Sequence, residues 1–266
     1  FFVKGDFKGG ENLKVLITEP MADAGVEPLK QDFEVDVKTD LSPEQLKECI
    51  SEYDALIIRS ATQVDGEVIS KAGKLKIIGR AGIGLDNVDV EAATKKGIIV
   101  ANAPQSNIVS AAEHTIALLL TQCRNIPQAN ISLKSGEWKR AKFEGAEVAG
   151  KILGVVGLGR VGAIVAQQAL GLNMKVIAYD HFLSKERFVT LGVERAEKLE
   201  DLLKRADFIT VHLPKTKETI GMFGEREFSL MKDGVRIVNT ARGGIFQEAA
   251  LIKALRGGKV ASAGID

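Results

Sequence analysis

The chain has 266 residues, of which 45% are hydrophobic and 27% charged, a balance typical of a globular protein with one or two domains. Its formal net charge of +1 argues against a duplex-binding surface and against a polybasic membrane patch. The longest apolar runs, such as residues 116–120, are too short to span a bilayer, and no signal peptide is visible. The two cysteines, Cys49 and Cys123, fit no metal spacing and are typical of a reducing compartment. We therefore expect a cytoplasmic protein that binds no nucleic acid, membrane or metal.

Residues 1–12, FFVKGDFKGGEN, lack an initiator methionine and any hydrophobic periodicity, so we interpret them as a leader or a cloning remnant. From residue 13 onward, short apolar strands alternate with amphipathic helices, which indicates an α/β protein with parallel sheets. A helix is predicted between the second and third strands, because Ser42, Pro43 and Gln45 form the capping sequence SPEQ. The strands predicted in the first half cover residues 13–18, 33–37, 54–59, 75–80 and 98–102.

A long helical stretch, SNIVSAAEHTIALLLTQCRN, follows the fifth strand and leads into a second helix through Ile131 and Lys134. The strand rhythm restarts with KILGVVG at residues 151–157 and continues with KVIAYD, DFITVHLP, VRIVNTAR and KVASAGID. The pattern predicts two doubly wound parallel-sheet domains, with a boundary near the long helix.

The strongest single motif is a glycine-rich turn that directly follows a strand. Gly157, Gly159 and Gly162 form the pattern G-x-G-x-x-G, a helix follows, and a second strand ends at Asp180, about twenty residues further on. The first glycine permits a tight turn, the second lets the backbone approach a pyrophosphate, and the third lets the helix pack closely. The carboxylate of Asp180 can bind both ribose hydroxyls and repels a 2′-phosphate, which favours NAD over NADP. The alternative is a glycine-rich turn that binds nothing.

Ligands of open parallel sheets bind beyond the carboxyl ends of the strands. In the first predicted sheet the residues at these ends are Arg59, Ser60, the loop 80–86 and Asn102. In the second they are Asp180, residues 212–214, residues 240–242 and Asp266.

Three of these strand ends are candidates for anion binding. Arg242 can form a bidentate pair with a substrate carboxylate, although it could instead pair with Glu248. The loop RAGIGLDN could present its backbone N–H groups to an anion, or it could be a simple strand-to-helix turn. A lone strand-end arginine such as Arg59 is usually a solvated charge. Two anion sites would suit a substrate with a carboxylate and a phosphate.

The chain contains three histidines, and hydride transfer from an alcohol requires a base, for which histidine is the usual choice. His212 lies at a strand end and is the only candidate that the residues themselves suggest. His114 lies in the middle of a predicted helix, where a packed or exposed side chain is the simpler interpretation. His181 follows Asp180 and is expected near the adenosine end of a cofactor.

The chain resembles the NAD-dependent D-2-hydroxyacid dehydrogenases over nearly all of residues 13–266. The matching segments keep their order and spacing; they are LIIRSAT, IIGRAGIGLDNVD, GIIVANAPQSNIVSAAEHTIALLL, GEWKR, GKILGVVGLGRVG, YDHFLS, ADFITVHLPKTKETIGMF and VRIVNTARGGIFQEAAL. The resemblance implies a flavodoxin-like substrate-binding domain at residues 13–101, without its C-terminal portion. It also implies a Rossmann NAD-binding domain at residues 102–266.

The resemblance assigns several residues to the substrate. Arg242 matches the catalytic arginine that grips the substrate carboxylate and carbonyl, and the amides of Gly82 and Ile83 match a loop that also holds the carboxylate. The positions that favour a phosphorylated substrate are Arg59, Ser60 and Asn107. Arg140 matches a basic residue that reaches the neighbouring subunit's substrate in family dimers, and Trp138 matches a dimer contact. A homodimer or homotetramer formed through the Rossmann domain is therefore implied.

The resemblance also assigns the cofactor contacts. Arg160 and Val161 match the pair that contacts the pyrophosphate, and Asp266 matches the acid that binds the nicotinamide amide. His212 matches a residue that lines the cofactor rather than the base. The full set of implied NAD contacts is Gly157, Gly159, Arg160, Val161, Gly162, Asp180, His212, Pro214, Thr240, Ala241 and Asp266.

The implied reaction is the oxidation of 3-phospho-D-glycerate at C2 to 3-phosphooxypyruvate, the first step of serine biosynthesis, with hydride passing to NAD. In the family, a glutamate beyond the segment GID orients a histidine that is the acid–base, and the sequence ends at Asp266. We therefore expect the chain as printed to bind NAD but to turn over weakly or not at all. The alternatives are a dehydrogenase of another 2-hydroxy acid (glyoxylate, hydroxypyruvate or lactate), a non-catalytic NAD-binding regulator, or a fragment without a function of its own.

Overall fold

The computed structural model describes residues 13–266, so the leader or cloning remnant predicted at residues 1–12 lies outside the described residues. The chain divides into two compact units, one ending at Asn107 and the other comprising Ile108–Asp266. The boundary expected between residues 101 and 102 falls inside the first unit. Residues beyond that point stay with the first unit because the N–H of Ala103 donates to the carbonyl of Gly82 at 2.9 Å.

The described part of the first unit alternates strands and helices along its whole length. Its elements are β1 (Lys14–Ile17), α1 (Asp23–Asp32), β2 (Glu34–Val37), α2 (Pro43–Cys49), a 3₁₀ helix (Ile50–Glu52), β3 (Ala55–Ile58), α3 (Gly66–Lys71), β4 (Ile77–Arg80), α4 (Val90–Lys95) and β5 (Ile99–Asn102). The predicted capping box at Ser42 is present, since its hydroxyl accepts the N–H of Gln45 and the Gln45 side chain accepts the N–H of Ser42.

The five strands of this unit are parallel and follow the order β2-β1-β3-β4-β5, which is the flavodoxin-like order. Leu16, Leu56, Ile58 and Ile78 on the central strands are fully buried. Each observed strand lies inside the range predicted for it, and the central strands do so because parallel strands covered on both faces are continuous apolar runs. The edge strand β2 instead alternates polar and apolar residues. The chain changes direction across the sheet between β1 and β3, and ligand sites are expected at such a switch point.

The second unit begins with two helices and then adopts a second alternating pattern. Its elements are α5 (Ile108–Arg124), α6 (Ile126–Lys134), a 3₁₀ helix (Arg140–Phe143), β6 (Ile152–Val156), α7 (Arg160–Gly171), β7 (Lys175–Tyr179), α8 (Lys185–Leu191), β8 (Glu194–Arg195), α9 (Leu199–Arg205), β9 (Phe208–Val211), α10 (Glu225–Leu230), β10 (Val235–Asn239), α11 (Glu248–Arg256) and β11 (Val260–Ile265).

These six strands are also parallel, in the Rossmann order β8-β7-β6-β9-β10-β11, and the switch point lies between β6 and β9. Separate hydrophobic clusters cover the two faces of the sheet, one around Leu119 and Val165 and the other around Leu202 and Phe228. The two predicted doubly wound sheets are therefore confirmed. None of the helices formed by residues 13–266 has the length and apolar character that crossing a membrane requires.

Candidate functional site: two strand-end loops

The glycine loop of the second unit leaves no room for side chains at two of its three glycines. Gly157 has φ +90°, and a Cβ there would lie 2.6 Å from the carbonyl oxygen of His212. A Cβ on Gly162 would overlap the carbonyl oxygen of Gly157. Gly159 differs, because a Cβ there would meet nothing within 4 Å among the described residues. The N-terminus of α7 therefore opens onto unfilled space, which suits the close approach of a pyrophosphate to backbone N–H groups.

Asp180 lies at the carboxyl end of β7, beside this loop. Its Oδ2 accepts the N–H of Leu158 at 3.0 Å, and its Oδ1 accepts the N–H of Phe182 at 3.0 Å. Each carboxylate oxygen retains lone pairs for further bonds, for example to ribose hydroxyls. Asp180 therefore has two connected roles here, since it holds the glycine loop and presents a negative charge next to it.

His212 follows β9 and packs against the same loop. Its backbone N–H donates to the carbonyl of Val156 at 2.8 Å, and its ring Nε2 lies 3.0 Å from the hydroxyl of Thr210. Burial of the imidazole lowers the pKa of His212 to about 4. The ring is thus neutral near pH 7 and only weakly basic, which disfavours it as the base. Pro214 lies two residues further along the chain.

The turn after β10 carries Arg242 and is held by a buried amide that the sequence did not single out. The Oδ1 of Asn239 accepts the N–H of Ala241 at 3.0 Å, and its Nδ2 donates to the carbonyl of Arg242 at 2.9 Å. Arg242 also donates from Nη1 to the carbonyl of Ala241 at 2.6 Å. The hydroxyl of Thr240 lies 2.7 Å from that of Thr115 on α5. The helix that follows this turn, α11, begins at Glu248, and Phe246 before it forms a β-bridge with Phe223.

Asp266 continues the pairing of β11 with β10, since its N–H donates to the carbonyl of Asn239 at 3.0 Å. Its Oδ1 lies 3.7 Å from the Nε2 of His114. From the sequence, His114 was expected only to be a packed or exposed residue within a helix. It reaches Asp266 because α5 packs across β10 and β11, a contact that no local sequence pattern signals.

The loop after β3 in the first unit carries Arg59 and Ser60, and two buried side chains hold its backbone. The carboxylate of Glu19 accepts the N–H groups of Arg59 at 2.8 Å, Ala61 at 3.0 Å and Thr62 at 3.0 Å. The Nδ2 of Asn87 donates to the carbonyls of Arg59 at 2.9 Å and Thr62 at 2.6 Å.

Burial by itself would raise the pKa of Glu19, but the bonds from the backbone N–H groups of residues 61, 62 and 59 outweigh it and lower that pKa. The carboxylate is therefore ionised at neutral pH. Neither Glu19 nor Asn87 was predicted as a site residue. In the sequence, Glu19 is only a polar residue that directly follows a buried strand, and Asn87 is only a polar residue in a loop.

The loop after β4 contains Gly82 and Ile83. The N–H of Gly82 donates to the carbonyl of Arg80 at 2.8 Å, and the Nδ2 of Asn102 donates to the carbonyl of Ile83 at 2.6 Å. A side chain at Gly82 would overlap the guanidinium of Arg80, so the glycine makes room for this arginine. In this structure the Gly82 amide is thus already used within the loop.

The remaining predicted residues are distributed over both units. Asn107 is exposed and directly precedes α5. Arg140 is exposed in the second 3₁₀ helix, near Trp138, which is 75% exposed. Val161 is partly buried against the core of the second unit, behind Arg160 at the start of α7. Among residues 13–266, no group of three His, Cys, Asp or Glu side chains is placed to hold a metal ion.

Comparison with known proteins shows the family. Residues 116–266 match the family model described as D-isomer specific 2-hydroxyacid dehydrogenase, NAD binding domain. A protein named D-3-phosphoglycerate dehydrogenase from Archaeoglobus fulgidus is 52% identical over 255 residues, which cover 96% of this chain and 48% of that protein. The chain spans about half the length of the curated relatives it matches.

Solved structures show the same similarity across both units. The TT0316 protein from Thermus thermophilus is 32% identical with a TM-score of 0.87, covering 96% of this chain and 81% of that one. D-Lactate dehydrogenase from Aquifex aeolicus, complexed with NAD and lactic acid, is 30% identical with a TM-score of 0.84, covering 95% of this chain and 76% of that one.

The open space in front of Gly159, the N-terminus of α7 that faces it and the adjacent carboxylate of Asp180 fit a dinucleotide. The predicted cofactor, NAD, is confirmed by the matched NAD-binding domain. The chain belongs to the D-isomer-specific 2-hydroxyacid dehydrogenase family and contains its NAD-binding domain.

Proposed function

We propose that this protein is a D-3-phosphoglycerate dehydrogenase, which oxidises 3-phospho-D-glycerate to 3-phosphooxypyruvate in the first step of serine biosynthesis. The observation that carries the proposal is the 52% identity to a relative of that name over 96% of the chain. The two strand-end loops support it, since one suits a dinucleotide and the other presents an arginine and a serine to a phosphate.

When bound in the second unit, NAD would supply the nicotinamide that takes up the hydride leaving C2 of the substrate. The N–H groups at the start of α7 bind its pyrophosphate, and Asp180 binds the ribose hydroxyls of its adenosine half. The residues that we place along the nicotinamide half are His212, Pro214, Thr240, Ala241 and Asp266. Arg242, whose main chain is held by Asn239, binds the substrate carboxylate through a bidentate pair and polarises the C2 oxygen.

In the first unit, the guanidinium of Arg59 and the hydroxyl of Ser60 bind the phosphate group, with Asn107 as a further polar contact. The amides of Gly82 and Ile83 contact the carboxylate, which requires the Gly82 N–H to exchange its bond to the Arg80 carbonyl for one to the substrate.

The C2 hydroxyl must lose a proton during oxidation. His212 is poorly suited to accept it, because its pKa is lowered to about 4 and its Nε2 already meets the Thr210 hydroxyl. The family resemblance assigns this step to a different histidine that a glutamate orients, so activity is best assayed on the complete natural protein.

The test compares kcat/KM for 3-phospho-D-glycerate and D-glycerate, measured through NADH absorbance. We expect the phosphorylated substrate to be preferred by more than about tenfold, since a charge-assisted hydrogen bond contributes roughly 1.5–3 kcal/mol. Equal values would reject the phosphate site. Absence of turnover with any 2-hydroxy acid, together with intact NAD binding, would favour the non-catalytic regulator.

A second candidate is a dehydrogenase of an unphosphorylated 2-hydroxy acid such as lactate, glyoxylate or hydroxypyruvate. The 30% identity to the D-lactate dehydrogenase structure favours it. The same assay decides between the two, because this candidate predicts that lactate or glycerate is turned over better than 3-phospho-D-glycerate.

We also propose a cytoplasmic homodimer or homotetramer formed through the NAD-binding unit, in which Arg140 reaches the neighbouring subunit's substrate. The support is a run of exposed apolar side chains near one another in sequence: Ile126, Ile131, Leu133 and Trp138. The measurement is the molar mass by light scattering, which should fall towards the monomer value in Trp138→Lys and remain unchanged in Val189→Lys, an equally exposed apolar position on α8.

A further inference from the structure

Glu19 lies at the switch point of the first sheet, two residues beyond the last residue of β1. The adjacent loop after β3 turns sharply, so the N–H groups of Arg59, Ala61 and Thr62 converge on one point. Glu19 fills that point with a carboxylate that accepts all three bonds at 2.8–3.0 Å. The hydroxyl of Thr62 adds a contact of 2.8 Å to the hydroxyl of Thr18.

Asn87 supports the same loop from the other side. Its amide N–H groups donate to the carbonyls of Arg59 and Thr62, at 2.9 and 2.6 Å. Glu19 and Asn87 are both buried, each with 9% of its surface exposed, whereas Arg59 and Ser60 are exposed. The loop backbone is thus held from within, while the side chains of Arg59 and Ser60 are exposed and the Arg59 Nη1 donates to the carbonyl of Pro20 at 3.3 Å.

The charge of Glu19 is unexpected next to a loop that binds an anion. In a simple electrostatic account, an ionised carboxylate near a phosphate site weakens phosphate binding, so its removal should strengthen binding. The presence of Glu19 is explained if phosphate binding gains more from the loop geometry that its carboxylate maintains than it loses through charge repulsion. Accurate placement matters because a displacement of about 1 Å can cost roughly 100-fold in an enzyme's efficiency.

We propose that Glu19 and Asn87 are positioning residues that give the protein its preference for a phosphorylated substrate, by holding the backbone of residues 59–62 so that the Arg59 and Ser60 side chains meet the phosphate. The inference rests on the proposed function and adds to it the residues that build the phosphate site. Neither residue touches the substrate in this account.

The test is Glu19→Gln, which removes the charge but keeps the size of the side chain. An amide can accept at only one of its two ends, so a donor would face at least one of the three N–H groups. We expect the affinity for 3-phospho-D-glycerate to fall about 10- to 100-fold, with the affinities for D-glycerate and NAD unchanged. Titration calorimetry measures all three on folded protein, as verified by circular dichroism.

Glu91→Gln is the matched control, because Glu91 is an exposed residue of α4 in the same unit and the charge change is identical. It should bind all three ligands as the wild type does. Asn87→Ala tests the other side of the loop and should show the same selective loss. If Glu19→Gln does not fold, Asn87→Ala decides the question.

The outcomes separate this inference from the proposed function. A wild type that prefers 3-phospho-D-glycerate, with a Glu19→Gln variant that binds it equally or more tightly, overturns the positioning role and leaves the substrate standing. A wild type without any preference for the phosphorylated ligand rejects the substrate, and the positioning role with it. Equal losses for all three ligands would show that Glu19 serves only the stability of the fold.

Discussion

The switch points of the two sheets are built differently, although both use a carboxylate to hold a loop. In the second unit, Asp180 binds the N–H of Leu158, and the loop around Gly159 leaves its backbone open to a ligand. In the first unit, Glu19 accepts the N–H groups of Arg59, Ala61 and Thr62, Asn87 donates to the carbonyls of Arg59 and Thr62, and the side chains of Arg59 and Ser60 are exposed. The glycine loop can therefore offer its backbone to a ligand, whereas the loop after β3 has several backbone groups bonded within its own unit and exposes the side chains of Arg59 and Ser60.

The opposite ends of the two sheets are alike. Asp54, before β3, accepts the N–H of Lys14 at 3.1 Å and pairs with Lys76 at 3.1 Å. Asp207, before β9, accepts the N–H of Ile152 at 2.8 Å and pairs with Lys232 at 2.9 Å. The shared arrangement joins neighbouring strands where they begin. The two units thus share this arrangement at the amino ends of their strands and differ at the carboxyl ends, where ligands of such sheets bind.

The strongest prediction concerns the glycine loop of the second unit, where the proposed cofactor contacts are backbone N–H groups. Gly157→Ala places a Cβ against the His212 carbonyl at a position with φ +90°, so both clash and backbone strain oppose it. We expect a loss of stability of roughly 2–4 kcal/mol and a loss of NAD affinity of more than about tenfold. Thermal unfolding and NAD titration measure them. Gly171→Ala, at the open end of α7, is the control and should change neither.

The second prediction concerns the loop after β3, where the proposed phosphate contacts are side chains. Arg59→Ala should lower kcat/KM for 3-phospho-D-glycerate about 10- to 100-fold and leave the value for D-glycerate unchanged, because one charge-assisted contact is lost. Steady-state kinetics of the complete natural protein gives both values. Lys95→Ala removes an exposed cation of the same unit and should have no such effect. A variant that keeps its selectivity would show that Arg59 is a solvated charge.

Asp180 allows its two roles to be separated. Asp180→Asn keeps an oxygen that can accept the Leu158 N–H but loses the charge, so we expect a shift of preference towards NADP of about tenfold with little loss of stability. Asp180→Ala loses both and should also lower the unfolding temperature. Cofactor titrations with NAD and NADP are the measurement. If the asparagine variant kept the wild-type preference, the charge of Asp180 would not select the cofactor.

The smallest effect is a pH dependence. The pKa of Glu19 is lowered in the folded state, so its ionised form contributes stability that is present above the unfolded pKa and is lost as pH falls through the folded pKa. Glu19→Gln should be less stable than the wild type near pH 7, by about 1–3 kcal/mol, and the difference should shrink in acid. Urea unfolding from pH 7 to about pH 3 measures the difference. A constant difference would contradict the pKa shift.

The helices, the strands and the cofactor motif could all be predicted from the amino-acid sequence. Buried parallel strands are continuous apolar runs, which a sequence shows directly. The glycine motif and Asp180 lie within one β-α-β unit, so residues close in the sequence are enough to identify the cofactor site. The strand-end positions of Arg59, His212 and Arg242 were predictable for the same reason.

The polar side chains that hold those strand ends in place became evident from the folded structure alone. Glu19 meets its partners 40 to 43 residues away, Asn87 meets its partners 25 and 28 residues away, and His114 approaches Asp266 across the packing of α5 on the sheet. Such contacts arise from strand order, which periodicity does not encode. A glutamate after an apolar strand looks like any solvated charge until the neighbouring loop turns its N–H groups towards it.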